Sequence, residues 1–196
     1  MQLIVATNNP GKLREFRRIL EPLGIQVLSQ KEAGVQVDPE ENGETFAQNA
    51  YIKAKAVYDI AGLPCVADDS GLCVDALDGR PGVLSARYYG HDTPYSEKMQ
   101  HLLDEMKDVA DPQRTARFVS HITCILDEDT VLECEGTCEG MIGHQPAGEN
   151  GFGYDPLFYV DGRSYGELSA EEKDLISHRG KALRLLYDKL KEQLGR

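Results

Sequence analysis

Two adjacent aspartates, Asp68 and Asp69, interrupt an apolar stretch that reads VADDSG. Buried carboxylates without partners are costly, and a hard cation such as Mg²⁺ would compensate them. Neighbouring side chains of an extended segment point to opposite faces, so both aspartates could serve one site only if the chain turns at Ser70–Gly71. Glu40 and Glu41 stand before a predicted helix and add further oxygens. The pattern predicts a Mg²⁺–phosphate site, and a surface turn rich in aspartate is the alternative.

The sequence TNNPGK, residues 7–12, stands between a short apolar run and an amphipathic pattern. Backbone N–H groups and the helix dipole at such a strand-to-helix junction favour an anion. Hydrogen-bond donors from Thr7, Asn8 and Asn9 and the charge of Lys12 strengthen this candidate. The spacing is not that of a P-loop, and an ordinary polar cap is the alternative interpretation.

Near the end of the chain, ISHRG places a serine, a histidine and an arginine in a row. Adjacent helical residues do not face each other, which argues against a nucleophilic pair of Ser177 and His178. Ser177 is better explained as a helix N-cap. His178 and Arg179 then lie in the first turn, where cations oppose the dipole by roughly 0.3–1 kcal/mol each. A bound polyphosphate would reverse that cost, and an unoptimised helix start is the alternative.

A fourth motif, NGFGYDP, combines glycines with aromatic rings and a carboxylate. Phe152 or Tyr154 could stack on a nucleobase, and Asp155 could accept hydrogen bonds from it. Because glycines commonly mark turns, packing at a chain corner is the alternative.

The elements that must position these residues follow from hydrophobic periodicity. Leu3–Ala6 is predicted to be a buried strand, and a helix follows it and ends at Gly24. Leu28–Asn42 is expected to be irregular. Further helices are predicted over Gly43–Ala61, with Thr45 as its cap, over Ser96–Met106, and as a closing pair. In that pair SAEE, residues 169–172, is a capping box and Leu183, Leu186, Leu190 and Leu194 form the last apolar stripe.

Strand-like runs flank the two aspartates, and a hairpin is predicted from Arg117–Leu126 and Val131–Glu135. A further strand is predicted at LFYV, residues 157–160. Strands and helices interleave without strict alternation, which predicts a mixed α/β fold.

Composition restricts the class of protein. The 196 residues are 41% hydrophobic, enough for one core or for two lobes sharing a cleft. A net charge of −12 argues against a nucleic-acid groove but permits a local cluster of cations. The five cysteines are odd in number and lack zinc spacing, which indicates reduced core thiols. The sequence contains neither a signal-peptide pattern nor a membrane-spanning run, so we expect a soluble, cytoplasmic protein.

Taken together and in order, the motifs resemble those of the inosine/xanthosine triphosphate pyrophosphatases, which remove non-canonical purine nucleotides. The blocks that carry the resemblance are TNNPGK, EENGETFAQNAYIKA, ADDSGL, RPGVLSARYYG, GFGYDPLF and EEKDLISHRGKAL, from Thr7 to Leu183. The resemblance implies a single domain over residues 1–196, an elongated mixed β-sheet flanked by helices in two lobes around a nucleotide cleft. It also implies a homodimer and Mg²⁺-dependent hydrolysis of ITP, dITP or XTP to the monophosphate and pyrophosphate.

The resemblance also implies roles for individual residues. Asp69 would be the general base and a metal ligand, Glu41 a second ligand, and Asp68, which lies nearby, a third. The phosphates and the base would be held by Thr7, Asn8, Asn9, Pro10, Gly11, Lys12, Lys53, Ser70, Lys173, His178 and Arg179, and Phe152, Gly153, Tyr154 and Asp155 would line the nucleobase pocket. Many relatives have glycine at the position of Asn8, a departure that asparagine can accommodate because it tolerates a positive φ.

Two alternatives remain open at this stage. A Maf-like pyrophosphatase would share the strand–loop–helix opening and act on other nucleotides. A nucleotide-binding sensor without hydrolysis would be expected to lose an acidic ligand or the base, whereas this chain keeps Glu41, Asp68 and Asp69.

Overall fold

A computed structural model describes residues 1–195 of the chain, apart from the side chain of Leu194. The chain divides into two compact units. The first unit consists of Met1–Asp69, Ser120–Gly136 and His178–Arg196. The second consists of Ser70–Val119 and Thr137–Ser177. Within the described residues no helix is both long and apolar enough to cross a membrane.

Seven strands form one sheet, which confirms the mixed α/β prediction. The strands are β1 (Gln2–Val5), β2 (Gln26–Ser29), β3 (Cys65–Val74), β4 (Thr115–Ile125), β5 (Val131–Ile142), β6 (Phe158–Val160) and β7 (Arg163–Ser164). Their order is β2-β1-β3-β4-β5-β6-β7. β1 pairs in parallel with β2 and β3, whereas β6 pairs antiparallel with β5 and β7. The predicted hairpin is formed by β4 and β5, and the single-domain interpretation stays a prediction.

The first unit contains three α-helices, α1 (Pro10–Leu20), α2 (Phe46–Ala61) and α5 (His178–Leu194). α1 is followed by a 3₁₀ turn that ends at Gly24, where φ is +83°. α2 begins three residues later than predicted, because Thr45 caps it in a capping box with Gln48. The helix starts and stops therefore agree with local capping chemistry.

β1 supplies two different apolar cores of the first unit. Leu3 and Val5 pack with residues of α1 and α5, including Phe16 and Leu183. Ile4 lies between them in sequence and packs instead with α2 residues. Successive strand side chains point to opposite faces, so β1 is covered on both sides, as is typical of a parallel strand.

The second unit contains α3 (Tyr95–Glu105) and α4 (Ala170–Ile176). Ser169 caps α4 with Glu172 as the sequence predicts. The core of this unit is rich in aromatic rings. The rings of Phe118 and Phe158 lie 4.8 Å apart between centroids, and Tyr165 contacts both.

Three expectations about strands are wrong. β3 continues through Asp68–Gly71 without a turn, so the turn expected to be necessary for a shared site is absent although Lys12 acts on both aspartates. β2 forms over Gln26–Ser29, partly inside the segment expected to be irregular, because β1 provides a pairing edge. β5 continues seven residues beyond Glu135.

Gly136 lies in the part of β5 that continues beyond Glu135. It allows the backbone of this strand to approach α5 closely. A Cβ atom at this position would lie 2.1 Å from the carbonyl oxygen of His178. A glycine inside a strand commonly marks such a contact between backbones.

Candidate active site

Eight side chains of the first unit form what we call the charged cluster. It contains Lys12, Glu15, Glu41, Lys53, Asp68, Asp69, Ser120 and Arg179. Its members come from α1, α2, β3, β4, α5 and the segment before α2. The structure therefore brings together residues that are up to 167 positions apart in sequence, from Lys12 to Arg179.

Asp68 is the buried centre of this cluster, with 1% of its surface exposed. Its Oδ2 atom lies 2.8 Å from Lys12 Nζ and 3.2 Å from Arg179 Nη2, while the Ser120 hydroxyl donates to Oδ1. Burial disfavours the charged form, but the charges of Arg179 and Lys12 outweigh it and hold the pKa of Asp68 well below its ordinary value. Asp68 is therefore an ionised counter-ion whose two oxygens both have partners.

Arg179 lies in the first turn of α5, where its charge opposes the helix dipole. Its side chain is 2% exposed and forms ion pairs with Glu15 and Asp68. Burial alone would lower the pKa of Arg179, yet the two carboxylates raise it. The protein's own carboxylates thus compensate the cation that local helix rules disfavour.

Lys53 joins the two remaining carboxylates of the charged cluster. Its Nζ atom lies 3.0 Å from Glu41 Oε2 and 2.8 Å from Asp69 Oδ1. The other oxygen of Asp69, Oδ2, is buried, and no N–H or hydroxyl group of the described residues donates a hydrogen bond to it. A buried acceptor without a partner is costly, so a ligand at this atom would be stabilising.

The pKa values of Asp69 and Glu41 move in opposite directions. Burial raises the pKa of Asp69, and the nearby charge of Glu41 acts in the same direction, although Lys53 and Lys12 oppose them. Burial also disfavours the charged form of Glu41, but there the positive charge of Lys53 prevails and the pKa falls. Carboxylates whose environments separate their pKa values are typical of acid–base sites.

The donor set fits a Mg²⁺ ion bound together with phosphates. The described residues contain no group of three or more histidine, cysteine, aspartate or glutamate side chains arranged to hold a metal. Mg²⁺ is usually held by one or two carboxylates plus substrate phosphates and water. Glu41 and the unpartnered Oδ2 atom of Asp69 satisfy that smaller requirement.

The predicted anion loop, residues 7–12, uses part of its donor capacity internally. Asn9 caps α1, and its Oδ1 atom accepts from the backbone N–H groups of Gly11 and Lys12 at 2.8 and 3.1 Å. Pro10 has no N–H group and occupies the first helical turn. Thr7 accepts from the backbone N–H of Asn9. The charge of Lys12, rather than these amides, is what the loop offers to an anion.

Asn8 does not adopt a positive φ, so its backbone does not need the conformational freedom of glycine. Among the described residues, Asp78, Tyr89 and Asp161 are the non-glycine residues with positive φ. The Asn8 side chain donates to Asp38 at 3.1 Å and accepts from Gln30 at 3.2 Å. Asparagine at this position therefore makes side-chain contacts without straining the loop.

A second candidate site lies in the second unit, at the turn Phe152–Asp155. The Oδ2 atom of Asp155 accepts from Lys173 Nζ at 2.6 Å and from the backbone N–H of Phe152 at 2.8 Å. Lys173 is 3% exposed, and its ammonium lies 4.7 Å from the centre of the Phe152 ring. Gly153 has a φ of +65°, which shapes the turn. We call Phe152–Asp155 with Lys173 the aromatic turn.

Two predicted residues lie at the boundaries between the units along the chain. Ser70 follows Asp69 in β3 and is half-buried. His178 is buried and begins α5, so Ser177 lies at the predicted N-cap position with extended backbone angles.

Sequence reasoning missed three buried polar residues of the first unit. Glu15 and Ser120 bind members of the charged cluster, and Asn49 bonds the backbone near Glu41. Ser120 shares a face of β4 with Ile122 and Cys124, so strand alternation alone could have indicated a buried hydroxyl.

The fold and the charged cluster are those of a mixed α/β protein with a candidate site for phosphates and a metal. The sequence model of the Ham1 family matches residues 3–189, and the chain belongs to that family. It is 46% identical to the dITP/XTP pyrophosphatases of Shigella flexneri and Escherichia coli strain K12, over 97% of this chain and 98% of each relative. A solved HAM1 protein from Coxiella burnetii superimposes with a TM-score of 0.88 at 42% identity, covering 98% of this chain and 99% of the other. The Ham1 protein of Staphylococcus aureus gives 0.87 at 36% identity, covering 98% and 100%.

Proposed function

We propose that this chain hydrolyses non-canonical purine nucleoside triphosphates, namely dITP, ITP and XTP, to the monophosphate and pyrophosphate. The near-full-length relatives named dITP/XTP pyrophosphatase support this activity. The structural observation that carries the proposal is the buried, unpartnered Oδ2 atom of Asp69 beside the cations of the charged cluster. A candidate general base and positive charges that could bind phosphates therefore lie close together.

In this proposal Asp69 is the catalytic residue that orients and deprotonates the attacking water. The new bond forms between the water oxygen and the α-phosphorus, and the bond from that phosphorus to the bridging oxygen breaks, releasing pyrophosphate. The proton of the water passes to Asp69, which acts as the general base. Lys12 and Lys53 would offset the charge of the phosphates.

Glu41 and Asp69 are the residues we assign to Mg²⁺. When bound, the ion would neutralise phosphate charge during the reaction. Asp68 is assigned a different role from the one the family resemblance implies. Since Lys12, Arg179 and Ser120 occupy its oxygens, we propose that it orients the cations instead of binding the metal.

For the nucleobase we assign the aromatic turn. The Phe152 ring offers a stacking surface, and Lys173 offers a donor beside it. An ammonium group only donates, so it can bond the 6-oxo oxygen of hypoxanthine or xanthine but not the 6-amino group of adenine. This difference would favour inosine and xanthosine nucleotides over ATP. Guanine also carries a 6-oxo group, so its rejection needs another feature.

Replacing Lys173 by methionine should reduce selectivity between ITP and ATP. We expect kcat/KM for ITP to fall about 10- to 100-fold, the loss of a hydrogen bond from a charged donor, while the value for ATP changes little. Pyrophosphate release measured with both nucleotides gives the ratio, which general destabilisation would not alter. Lys107→Met, at an exposed position of the same unit, is the control. An unchanged ratio in Lys173→Met would contradict the assignment.

The activity itself is tested by incubating the protein with Mg²⁺ and dITP, ITP, XTP, ATP or GTP and measuring pyrophosphate and orthophosphate separately. We expect pyrophosphate from the first three nucleotides, little from ATP and GTP, and loss of turnover when a chelator removes the metal. Orthophosphate alone would exclude attack at the α-phosphorus. Preference for other nucleotides would favour a Maf-like enzyme, and tight binding without turnover a sensor. The homodimer implied by the family resemblance stays a prediction.

A further inference from the structure

Glu41, one of the two carboxylates assigned to the metal, lies in a segment without regular structure. Residues 35–43 form neither helix nor strand. Such segments are usually more mobile than the elements they connect. A ligand in this segment needs contacts that fix its backbone, because metal sites depend on outer partners that orient the ligands.

Asn49 of α2 makes a two-point contact with this segment. Its Oδ1 atom accepts from the backbone N–H of Gly43 at 2.8 Å, and its Nδ2 atom donates to the carbonyl of Gly43 at 3.4 Å. Asn49 is fully buried, and Gly43 lies two residues after Glu41. A buried amide that bonds both polar groups of one residue fixes the orientation of that residue.

The contact also explains why glycine occupies position 43. A Cβ atom there would lie 2.7 Å from Asn49 Oδ1 and 2.7 Å from the Cβ of Gln48. The backbone could not approach Asn49 this closely with a side chain present. The segment and α2 are therefore fitted to each other at this point.

α2 holds the segment at a second point one turn further along. Lys53 follows Asn49 by four residues, a spacing that puts both on the same helix face. Lys53 contacts the carboxylate of Glu41, while Asn49 contacts the backbone of Gly43. The helix α2 thus holds both the carboxylate of Glu41 and the backbone that follows it.

We propose that Asn49 is a positioning residue that sets Glu41 for binding the divalent cation. The inference rests on the proposed function only in assigning Glu41 to the metal. Asn49 itself touches neither metal nor substrate in this role. Its effect passes through the Gly43 backbone to Glu41, and should therefore appear in the affinity for the cation.

The test compares Asn49→Ala with the wild-type protein. We expect the Mg²⁺ concentration for half-maximal pyrophosphate release from dITP to rise about 10-fold, within the range typical for loss of an outer partner of a metal ligand. Saturating Mg²⁺ should restore most of kcat. Calorimetric titration of the nucleotide-free protein with Mn²⁺ should show a similar loss of affinity, and this measurement does not depend on turnover.

Two further variants separate positioning from general destabilisation. Gly43→Ala displaces the same contact from the other side with Asn49 intact, and should raise the Mg²⁺ requirement in the same way even if Asn49→Ala folds poorly. Asn42→Ala removes a neighbouring exposed amide and should leave both readouts unchanged. A lower melting temperature and kcat in Asn49→Ala and Gly43→Ala with an unaltered cation requirement would overturn the inference. Failure of the wild-type protein to release pyrophosphate would instead overturn the proposed function, and the Mn²⁺ titration would still test Asn49.

Discussion

Asp69→Asn is expected to reduce kcat for dITP about 10²- to 10⁴-fold while leaving nucleotide binding largely intact, the range for loss of a positioned general base. The amide keeps the size of the carboxylate but neither accepts a proton from water nor carries charge for the metal. Initial rates of pyrophosphate release give kcat, and calorimetry with dITP gives the binding constant.

The control for this prediction is Asp129→Asn, at an exposed position in the loop between β4 and β5, which should behave like the wild-type protein. Loss of dITP binding in Asp69→Asn in parallel with loss of rate would indicate that Asp69 mainly holds the metal–nucleotide complex. Turnover near the wild-type rate would show that the base is a different group.

The largest effect on stability is expected from Glu15→Gln. Glu15 is 4% exposed and pairs with the buried Arg179, so its neutralisation leaves the cation undercompensated. Removing one partner of a buried ion pair typically costs about 3–5 kcal/mol. Urea unfolding of the wild-type and variant proteins measures the free energy of unfolding.

A double variant, Glu15→Gln with Arg179→Met, should lose less stability than the two single variants combined, because both charges of the Glu15–Arg179 pair are then absent and Asp68 keeps Lys12 as its counter-ion. Glu32→Gln removes a carboxylate from an exposed pair with Arg17 and should have a much smaller effect. A midpoint for Glu15→Gln equal to that of the wild-type protein would refute the proposed importance of the pair.

Local chemistry predicted much of the fold. The caps at Thr45 and Ser169 and the stop at Gly24 are each set by residues within a few positions, and the structure confirms them. β2 was missed because Gln26–Ser29 has little strand pattern of its own and gains its structure by pairing with β1. The extension of β5 was missed because Gly136 and Gly140 are weak strand formers, which sheet pairing overrides.

The sequence predicted which types of residue form the candidate site, but not which of these side chains contact one another. Adjacent aspartates and an arginine at a helix start are visible anomalies in the sequence, and the structure joins Asp68 to Arg179. Their partner Glu15 gave no such signal, because an acidic residue within an amphipathic helix ordinarily faces solvent. Its burial depends on the packing of α1 with α5, a contact between distant parts of the chain.

The alternation of β1 between two cores has a consequence for how the sequence can change over time. A single inserted or deleted residue within Leu3–Val5 would reverse which side chains face which core, because strand side chains alternate with a period of two. We therefore expect length variation among homologues to be rare in this strand, and to be tolerated in the exposed turn Asp127–Asp129, where the backbone carries neither core nor site.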